Sequence, residues 1–425
     1  MADLCPVRAE LTERILREAE GARDEIAELT GALVRIPTVN PPGEHYLECA
    51  AFLAERFRAL GCDVALLDPP PANGDRYPRR NVIGRLGSGE RRLHLNGHFD
   101  VVPAGSGWTT PPFGGEIQDG AVWGRGTSDM KGGIAASIYA VEILRRAGAR
   151  PTGVIELSGT VDEESGGHAG VAWLAANGHI APETDAVIIG EPFGSGRICV
   201  GHRGVYWFRV VSEGETAHGS MPFLGNNAIH QLAPLLEDIR TGWTAALAGR
   251  RTTLPVVPEG SRAPTIQVNS VMGGQAGAAA ESPQVPDRAE AVVDRRFIEE
   301  EGLDAVRAEA RRRVAAVEAR NPRRRYRIED LLTVEPVRTP PKSVALRAVR
   351  FGVRRALGRP ATEVASPGTY DQKHFARIAG VRDCIAYGPG ILELAHRPDE
   401  RVPVDELVRT TAALALAAAA VVGTA

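Results

Sequence analysis

Five short segments of the chain each carry a side chain that can bind a metal ion. The residues concerned are His98 with Asp100, then Asp129, the adjacent Glu163 and Glu164, Glu191, and His396. Histidines and carboxylates in this number can hold two zinc ions that share a carboxylate and a water, with one glutamate left over. The set therefore indicates metal-assisted hydrolysis.

The local sequence suggests how these residues divide the work. Asp100 can accept the second ring proton of His98, which fixes the tautomer that binds a metal. Glu163 and Glu164 are neighbours, so their side chains diverge, and one can bind metal while the other holds a water. Glu191 directly follows an apolar run, where an unpaired carboxylate would be costly.

The elements around the segments predict how they come together. Apolar, strand-like runs at residues 92–97, 154–160 and 186–190 precede His98, the Glu163–Glu164 pair and Glu191, and a helix at residues 132–147 follows Asp129. Strands that alternate with helices predict an α/β domain with a mainly parallel sheet and flanking helices. Such sheets place ligands at the carboxyl ends of their strands.

The pattern changes between residues 204 and 337. Predicted strands and helices alternate there in the order 205–211 (strand), 228–247 (helix), 265–271 and 289–297 (strands), 303–320 (helix) and 326–334 (strand). This is the ferredoxin-like order. We therefore predict a catalytic domain formed by residues 1–203 and 338–425, with residues 204–337 inserted as a second domain. Further helices are predicted at residues 8–35, 44–60 and 343–357.

Composition narrows the class of protein. The 425 residues are 43% hydrophobic and 24% charged, as in a soluble globular protein, and the net charge of -3 gives no reason to expect nucleic acid or a membrane as a partner. The N-terminal residues are charged where a signal peptide would be apolar. Five widely spaced cysteines, an odd number, favour reduced thiols and a cytoplasmic protein.

Taken together, the segments closely resemble a metallopeptidase family that includes acetylornithine deacetylase, succinyl-diaminopimelate desuccinylase, aminoacylase and glutamate carboxypeptidase. Its motifs Gly-His-x-Asp-Val-Val-Pro, Gly-Arg-Gly-x-x-Asp-Met-Lys-Gly-Gly, Asp-Glu-Glu-x-Gly-Gly and Gly-Glu-Pro occur here in family order. The resemblance implies two divalent metal ions, most simply zinc, with cobalt or manganese as alternatives. The implied roles are His98 and Glu191 on the first ion, Glu164 and His396 on the second, Asp129 bridging, Glu163 as general base and Asp100 orienting His98.

The resemblance also implies features of the inserted domain. His218, in Thr-Ala-His-Gly-Ser-Met-Pro, matches a histidine that stabilises the oxyanion in the active site of a twofold partner, so a homodimer through this domain is expected. Arg296, with Asn269 as a weaker candidate, matches positions that recognise a substrate carboxylate. Gly368 and Thr369 resemble the family's Gly-Thr-x-Asp binding loop.

Two further expectations concern the metal site. The resemblance implies a cis peptide bond between Asp129 and Met130. One departure is visible: the last ligand is usually followed by an Asn-Glu pair, whereas residues 396–400 read His-Arg-Pro-Asp-Glu.

Three interpretations of function remain open. The first is a zinc-dependent amidohydrolase that removes an acetyl, formyl or succinyl group from a small N-acyl amine or amino acid. The segment Ala-Tyr-Gly-Pro-Gly at residues 386–390 favours the deacetylase branch, and it also resembles deformylases of N-formyl aminomethyl-pyrimidines. The second is a dipeptidase or carboxypeptidase with the same chemistry. The third, a non-catalytic binding relative, would be expected to lack a ligand or the base, and all are present.

Overall fold

The computed structural model describes residues 3–72, 74–274 and 283–425. The chain forms two compact units: the first comprises Met1–Gly201, Thr339–Val364 and Tyr370–Ala425, and the second His202–Arg338 with Ala365–Thr369. The short second piece joins the inserted unit because Val256 and Ala365 form a parallel bridge, with the amide of Ala365 donating to Pro255 O (2.9 Å). The sequence had assigned residues 365–369 to the catalytic domain.

The helices and strands are numbered in chain order. The helices are α1 (Ala9–Gly21), α2 (Arg23–Val34), α3 (Tyr46–Ala59), α4 (Gly132–Arg146), α5 (Trp173–Ala176), α6 (Ala228–Asp238), α7 (Thr244–Ala248), α8 (Leu303–Glu318), α9 (Val344–Leu357), α10 (Gln372–Arg377) and α11 (Val404–Val422). The strands are β1 (Asp63–Leu67), β2 (Asn81–Gly87), β3 (Arg92–His98), β4 (Glu116–Gln118), β5 (Ala121–Trp123), β6 (Val154–Thr160), β7 (Ala186–Ile189), β8 (Arg197–His202), β9 (Gly204–Glu213), β10 (Thr265–Gly274), β11 (Arg288–Phe297), β12 (Arg325–Val334), β13 (Val337–Arg338), β14 (Thr362–Ser366), β15 (Cys384–Ala386) and β16 (Arg401–Pro403).

The first unit is built on a mixed sheet whose strands follow the order β1-β2-β6-β3-β7-β15-β8. The central strands β6, β3, β7 and β15 run parallel, and the outer pairs are antiparallel. β6 and β7 are buried along their whole length, as expected for strands covered by helices on both faces. The predicted α/β class with a mainly parallel central sheet is confirmed.

The second unit has the predicted ferredoxin-like organisation. Its four strands form an antiparallel sheet in the order β10-β11-β9-β12. Helices α6 and α8 pack against it through a core that contains Phe208, Trp243 and Val314. This arrangement leaves β10 and β12 as the edge strands of the sheet.

Two predicted helices are each interrupted. The helix predicted at residues 8–35 breaks at Ala22, whose backbone leaves the helical region (φ −91°, ψ 8°) just after Gly21, a poor helix former. The apolar periodicity does not reveal the break, because α1 and α2 both bury the apolar residues that form the periodic pattern. The helix predicted at residues 228–247 changes to a wider turn at Ile239–Trp243, where Gly242 weakens the helix and Trp243 is fully buried.

In the described part of the chain, no helix is long and apolar enough to cross a membrane. The Ala-rich run at residues 412–422 is the buried end of α11, which packs on α4 and α9. All five cysteines are thiols, and four of them are buried.

Candidate metal centre

His98 is the last residue of β3 and is almost fully buried. Its Nδ1 donates to the backbone carbonyl oxygen of Asp100 (3.0 Å), and its Nε2 lies 3.2 Å from Asp129 Oδ1 and 3.8 Å from Glu191 Oε1. Burial lowers the pKa of His98, but hydrogen bonds to Asp100 and Asp129 outweigh it and hold that pKa well above its ordinary value. A metal bound at Nε2 would have to displace a proton.

Asp129 lies between the two histidines. Its Oδ1 faces His98, and its Oδ2 lies 3.4 Å from His396 Nε2. Burial opposes ionisation, yet hydrogen bonds from His396 and His98 keep the pKa of Asp129 well below its usual range. The peptide bond to Met130 is cis, as the resemblance implied. A carboxylate with one oxygen on each side is the geometry that a bridging ligand needs.

The two adjacent glutamates turn in different directions from one short 3₁₀ turn, Glu163–Ser165. The carboxylate of Glu164 lies 3.1 Å from His396 Nε2, whereas Glu163 Oε1 accepts a hydrogen bond from Lys373. Both backbone amides donate to the carboxylate of Asp100, at 3.2 and 3.1 Å. The side chain of Asp100 therefore holds the turn that carries the two glutamates, and the main-chain carbonyl of Asp100 holds the ring of His98.

His396 arrives from a loop more than two hundred residues beyond Glu164. Its backbone is left-handed (φ 64°), which is uncommon for a residue other than glycine. Hydrogen bonds to Asp129 and Glu164 raise the pKa of His396 to about 10 in the protein without metal. Without metal, the carboxylates of Asp129 and Glu164 therefore surround a protonated histidine at neutral pH.

The donors fall into two groups that share Asp129. One is His98, Asp129 and Glu191, the other is Asp129, Glu164 and His396, and the ligand atoms of each lie within 4.8 Å of one another. Burial, reinforced by the charge of Asp129, raises the pKa of Glu164 to about 7 and that of Glu191 well above its ordinary value. Such carboxylates need a positive charge beside them, so the nitrogen and oxygen donors fit two divalent cations.

Glu400 supports the loop that carries Asp129, and sequence reasoning missed it. It is fully buried; its Oε1 accepts from the amides of Gly126, Ser128 and Asp129 (2.9–3.1 Å), and its Oε2 accepts from Arg125 (2.6 Å). The only sequence signal is the Asp-Glu pair at residues 399–400, which differs from the Asn-Glu pair of the family pattern. In the structure, its glutamate fixes the loop that presents Asp129.

The remaining predicted residues lie in the second unit. His218 is exposed, and its Nδ1 accepts from the hydroxyl of Ser220 (2.7 Å). Gly368 lies in a turn where its amide donates to Ser366 Oγ (3.1 Å), with Thr369 next to it. Asn269 is an exposed residue at an irregularity of β10, where the register with β11 shifts between Val268 and Ser270.

Arg296 lies on β11, where Nε donates to Asp294 (2.8 Å). Its neighbour Arg295 is buried and pairs with Glu301, as the alternation of a strand predicts. Arg203, which sequence reasoning did not single out, donates to the carbonyl oxygens of Pro367 and Ala263. Burial and the charge of Arg296 lower the pKa of Arg203 to about 10. Two cations thus lie close together in the second unit.

Comparison with known proteins agrees with this chemistry. Residues 94–420 match the model of peptidase family M20/M25/M40, and the chain belongs to that family. It is 31% identical over 392 residues to the succinyl-diaminopimelate desuccinylase of Paracoccus denitrificans (strain Pd 1222), covering 90% of this chain and 94% of the relative. The enzyme of that name from Gluconacetobacter diazotrophicus is 31% identical over 393 residues, covering 89% of this chain and 92% of the relative.

Solved structures share the fold at lower identity. Human carnosine dipeptidase 1 superposes with a TM-score of 0.77 and 18% identity, covering 97% of this chain and 98% of that one. An M20 family metallo-carboxypeptidase from Sulfolobus solfataricus gives 0.72 and 20%, covering 93% and 99%.

Proposed function

We propose that this member of the M20/M25/M40 family is a zinc-dependent hydrolase that cleaves the amide bond of a small N-acyl amine or N-acyl amino acid. The observation that carries the proposal is the pair of donor groups sharing Asp129, with the carboxylate of Glu163 beside them but outside both. A hydrolase of this kind needs a base that does not bind metal, and Glu163 is free to serve as that base.

Each of these residues has a distinct role in the proposed reaction. His98, Asp129 and Glu191 would hold one divalent ion, and Asp129, Glu164 and His396 the other. Bound ions supply an acidified water and polarise the substrate carbonyl. Glu163 accepts the proton of the attacking water and later gives it to the leaving nitrogen. The mixed nitrogen and oxygen donors suit zinc, with cobalt and manganese as alternatives.

The substrate is proposed to carry a carboxylate. The desuccinylase names of the relatives at 31% identity put succinyl amides first among the acyl groups to test, ahead of acetyl and formyl amides. Arg296 would bind the carboxylate, with Gly368, Thr369 and Asn269 completing that region. A dipeptidase or carboxypeptidase is the second candidate, supported by the fold shared with carnosine dipeptidase 1. A deformylase of N-formyl aminomethyl-pyrimidines is a further alternative.

A substrate panel tests this proposal. The zinc-loaded protein is assayed with succinyl, acetyl and formyl amides of small amines and amino acids, and with dipeptides. Glu163→Gln should retain both metal ions and lose kcat by roughly 10²–10⁴-fold on the best substrate, the usual contribution of a general base. Hydrolysis that survives this substitution, or no hydrolysis of any amide, would contradict the assignment.

We further propose a homodimer through the second unit, with His218 donating to the oxyanion in the partner's site. Support comes from edge strand β10, which exposes Val271 (50%) and Met272 (57%), and from Phe223 (75% exposed), close to His218 in sequence. Exposed apolar edge strands need covering. Mixing inactive Glu163→Ala with inactive His218→Ala subunits should restore part of the activity. A monomer at working concentration would rule out the shared site.

A further inference from the structure

The start of α10 contacts the loop that carries Glu163. His374 Nε2 donates to the carbonyl oxygen of Gly166 (2.8 Å). Gly167 has a left-handed backbone (φ 74°), and a Cβ atom there would lie 2.7 Å from Asp371 Oδ1, so both the backbone and the close approach favour glycine. Two adjacent positions of the loop, Gly166 and Gly167, therefore lie against His374 and Asp371, which flank Lys373 at one and two positions.

Lys373 makes the third contact of this surface. Its Nζ donates to Glu163 Oε1 (3.2 Å), and the side chains of the pair are only 7% and 11% exposed. Among the described residues, no group donates a hydrogen bond to Glu163 Oε2. The cation therefore holds one oxygen of the carboxylate and leaves the other available.

Stability alone is a poor explanation for this pair. Removing a lysine and a carboxylate from water costs about as much as their attraction returns, and apolar residues of similar size often serve as well. The carboxylate involved is the one that the proposed mechanism requires to be ionised and fixed in position. A positioning role accounts for both the charge and its location.

We propose that Lys373 is a positioning residue for the catalytic base: it holds Glu163 through Oε1 so that Oε2 faces the attacking water. The inference rests on the proposed function. The proton moves from the water to Oε2, where an O–H bond forms as that of the water breaks, and then to the leaving nitrogen. Lys373 keeps its own protons throughout.

The kinetic test compares Lys373→Met and Lys373→Arg in the zinc-loaded protein. Lys373→Met should lower kcat by about 100-fold, the usual effect of a misplaced catalytic group, with KM nearly unchanged. Lys373→Arg, which keeps the charge, should recover most of the loss. Lys342→Met is the matched control because Lys342 is exposed, and it should behave as wild type. A raised KM with unchanged kcat would mean that Lys373 binds substrate, and would overturn the inference.

A thermodynamic cycle in the metal-free protein tests the contact without relying on activity. Unfolding equilibrium constants are measured for wild type, Lys373→Met, Glu163→Gln and the double variant. If the pair forms, the combined effect should depart from the product of the single effects by about fivefold or more. Effects that simply multiply would overturn the inference. Failure of the wild type to hydrolyse any amide would refute the proposed function, and the cycle would still report on the contact.

Discussion

Replacing Glu400 by glutamine should both destabilise the metal-free protein and weaken metal binding. The carboxylate is fully buried and serves two sides: Oε1 takes three backbone amides of the loop that ends at Asp129, and Oε2 takes the guanidinium of Arg125. A glutamine amide has only one oxygen. Whichever way it turns, its NH₂ group must face donors.

The favoured orientation of the glutamine leaves the oxygen on the three amides and the NH₂ on Arg125. The three hydrogen bonds then persist in a weaker, neutral form, so the loop that presents Asp129 is held less firmly, and the larger loss falls on the buried ion pair. Arg125 is itself only 1% exposed, so its charge would be left without compensation. Breaking a buried pair in this way costs about 3–5 kcal/mol, whereas weakening a neutral hydrogen bond would cost about 1 kcal/mol. The ion pair should therefore dominate the loss.

Urea unfolding of the metal-free variants measures this difference, and metal content after dialysis against a chelator series measures the effect on the site. Glu237→Gln is the control, because Glu237 forms an exposed pair with Arg240 and its replacement should cause no measurable change. A loss near 1 kcal/mol at Glu400, with wild-type metal affinity, would show that the Arg125 pair is not formed and that the loop does not depend on it.

Three further predictions concern the same site. Asp100→Asn should lower metal affinity by about 10–100-fold in a competition titration, because the amide cannot accept both glutamate-turn amides as the carboxylate does; unchanged affinity would refute the supporting role. Gly133→Ala should reduce metal occupancy, since its Cβ would lie 2.0 Å from Gly190 O beside Glu191, while Gly21→Ala, with open space around it, should not. Because Asp129 and Glu164 raise the pKa of His396 to about 10, this stabilisation is complete below pH 6.5 and lost as pH rises through 10. Between pH 7 and pH 10.5, the urea midpoint of the metal-free wild type should therefore fall more than the urea midpoint of the His396→Ala variant. Equal falls would contradict this prediction.

The sequence by itself predicted the candidate metal-binding residues at the level of residue types and strand ends. His98 and Glu191 follow apolar runs that became the neighbouring parallel strands β3 and β7, and carboxyl ends of parallel strands meet at one edge of a sheet. The ferredoxin-like order of the second unit was also predictable, because the local periodicity of the sequence encodes each of its helices and strands. Periodicity could not reveal the break at Ala22, since α1 and α2 each bury the apolar residues that form the periodic pattern.

Only the tertiary structure decided how the site is held together. Glu400 and Lys373 reach Asp129 and Glu163 across hundreds of residues of sequence, through contacts between single polar groups that leave no repeating pattern. The left-handed backbone that turns His396 toward Glu164 is likewise imposed by its surroundings, because an isolated histidine would rarely adopt it. Local sequence therefore indicated the candidate ligands, and long-range polar contacts decided their geometry.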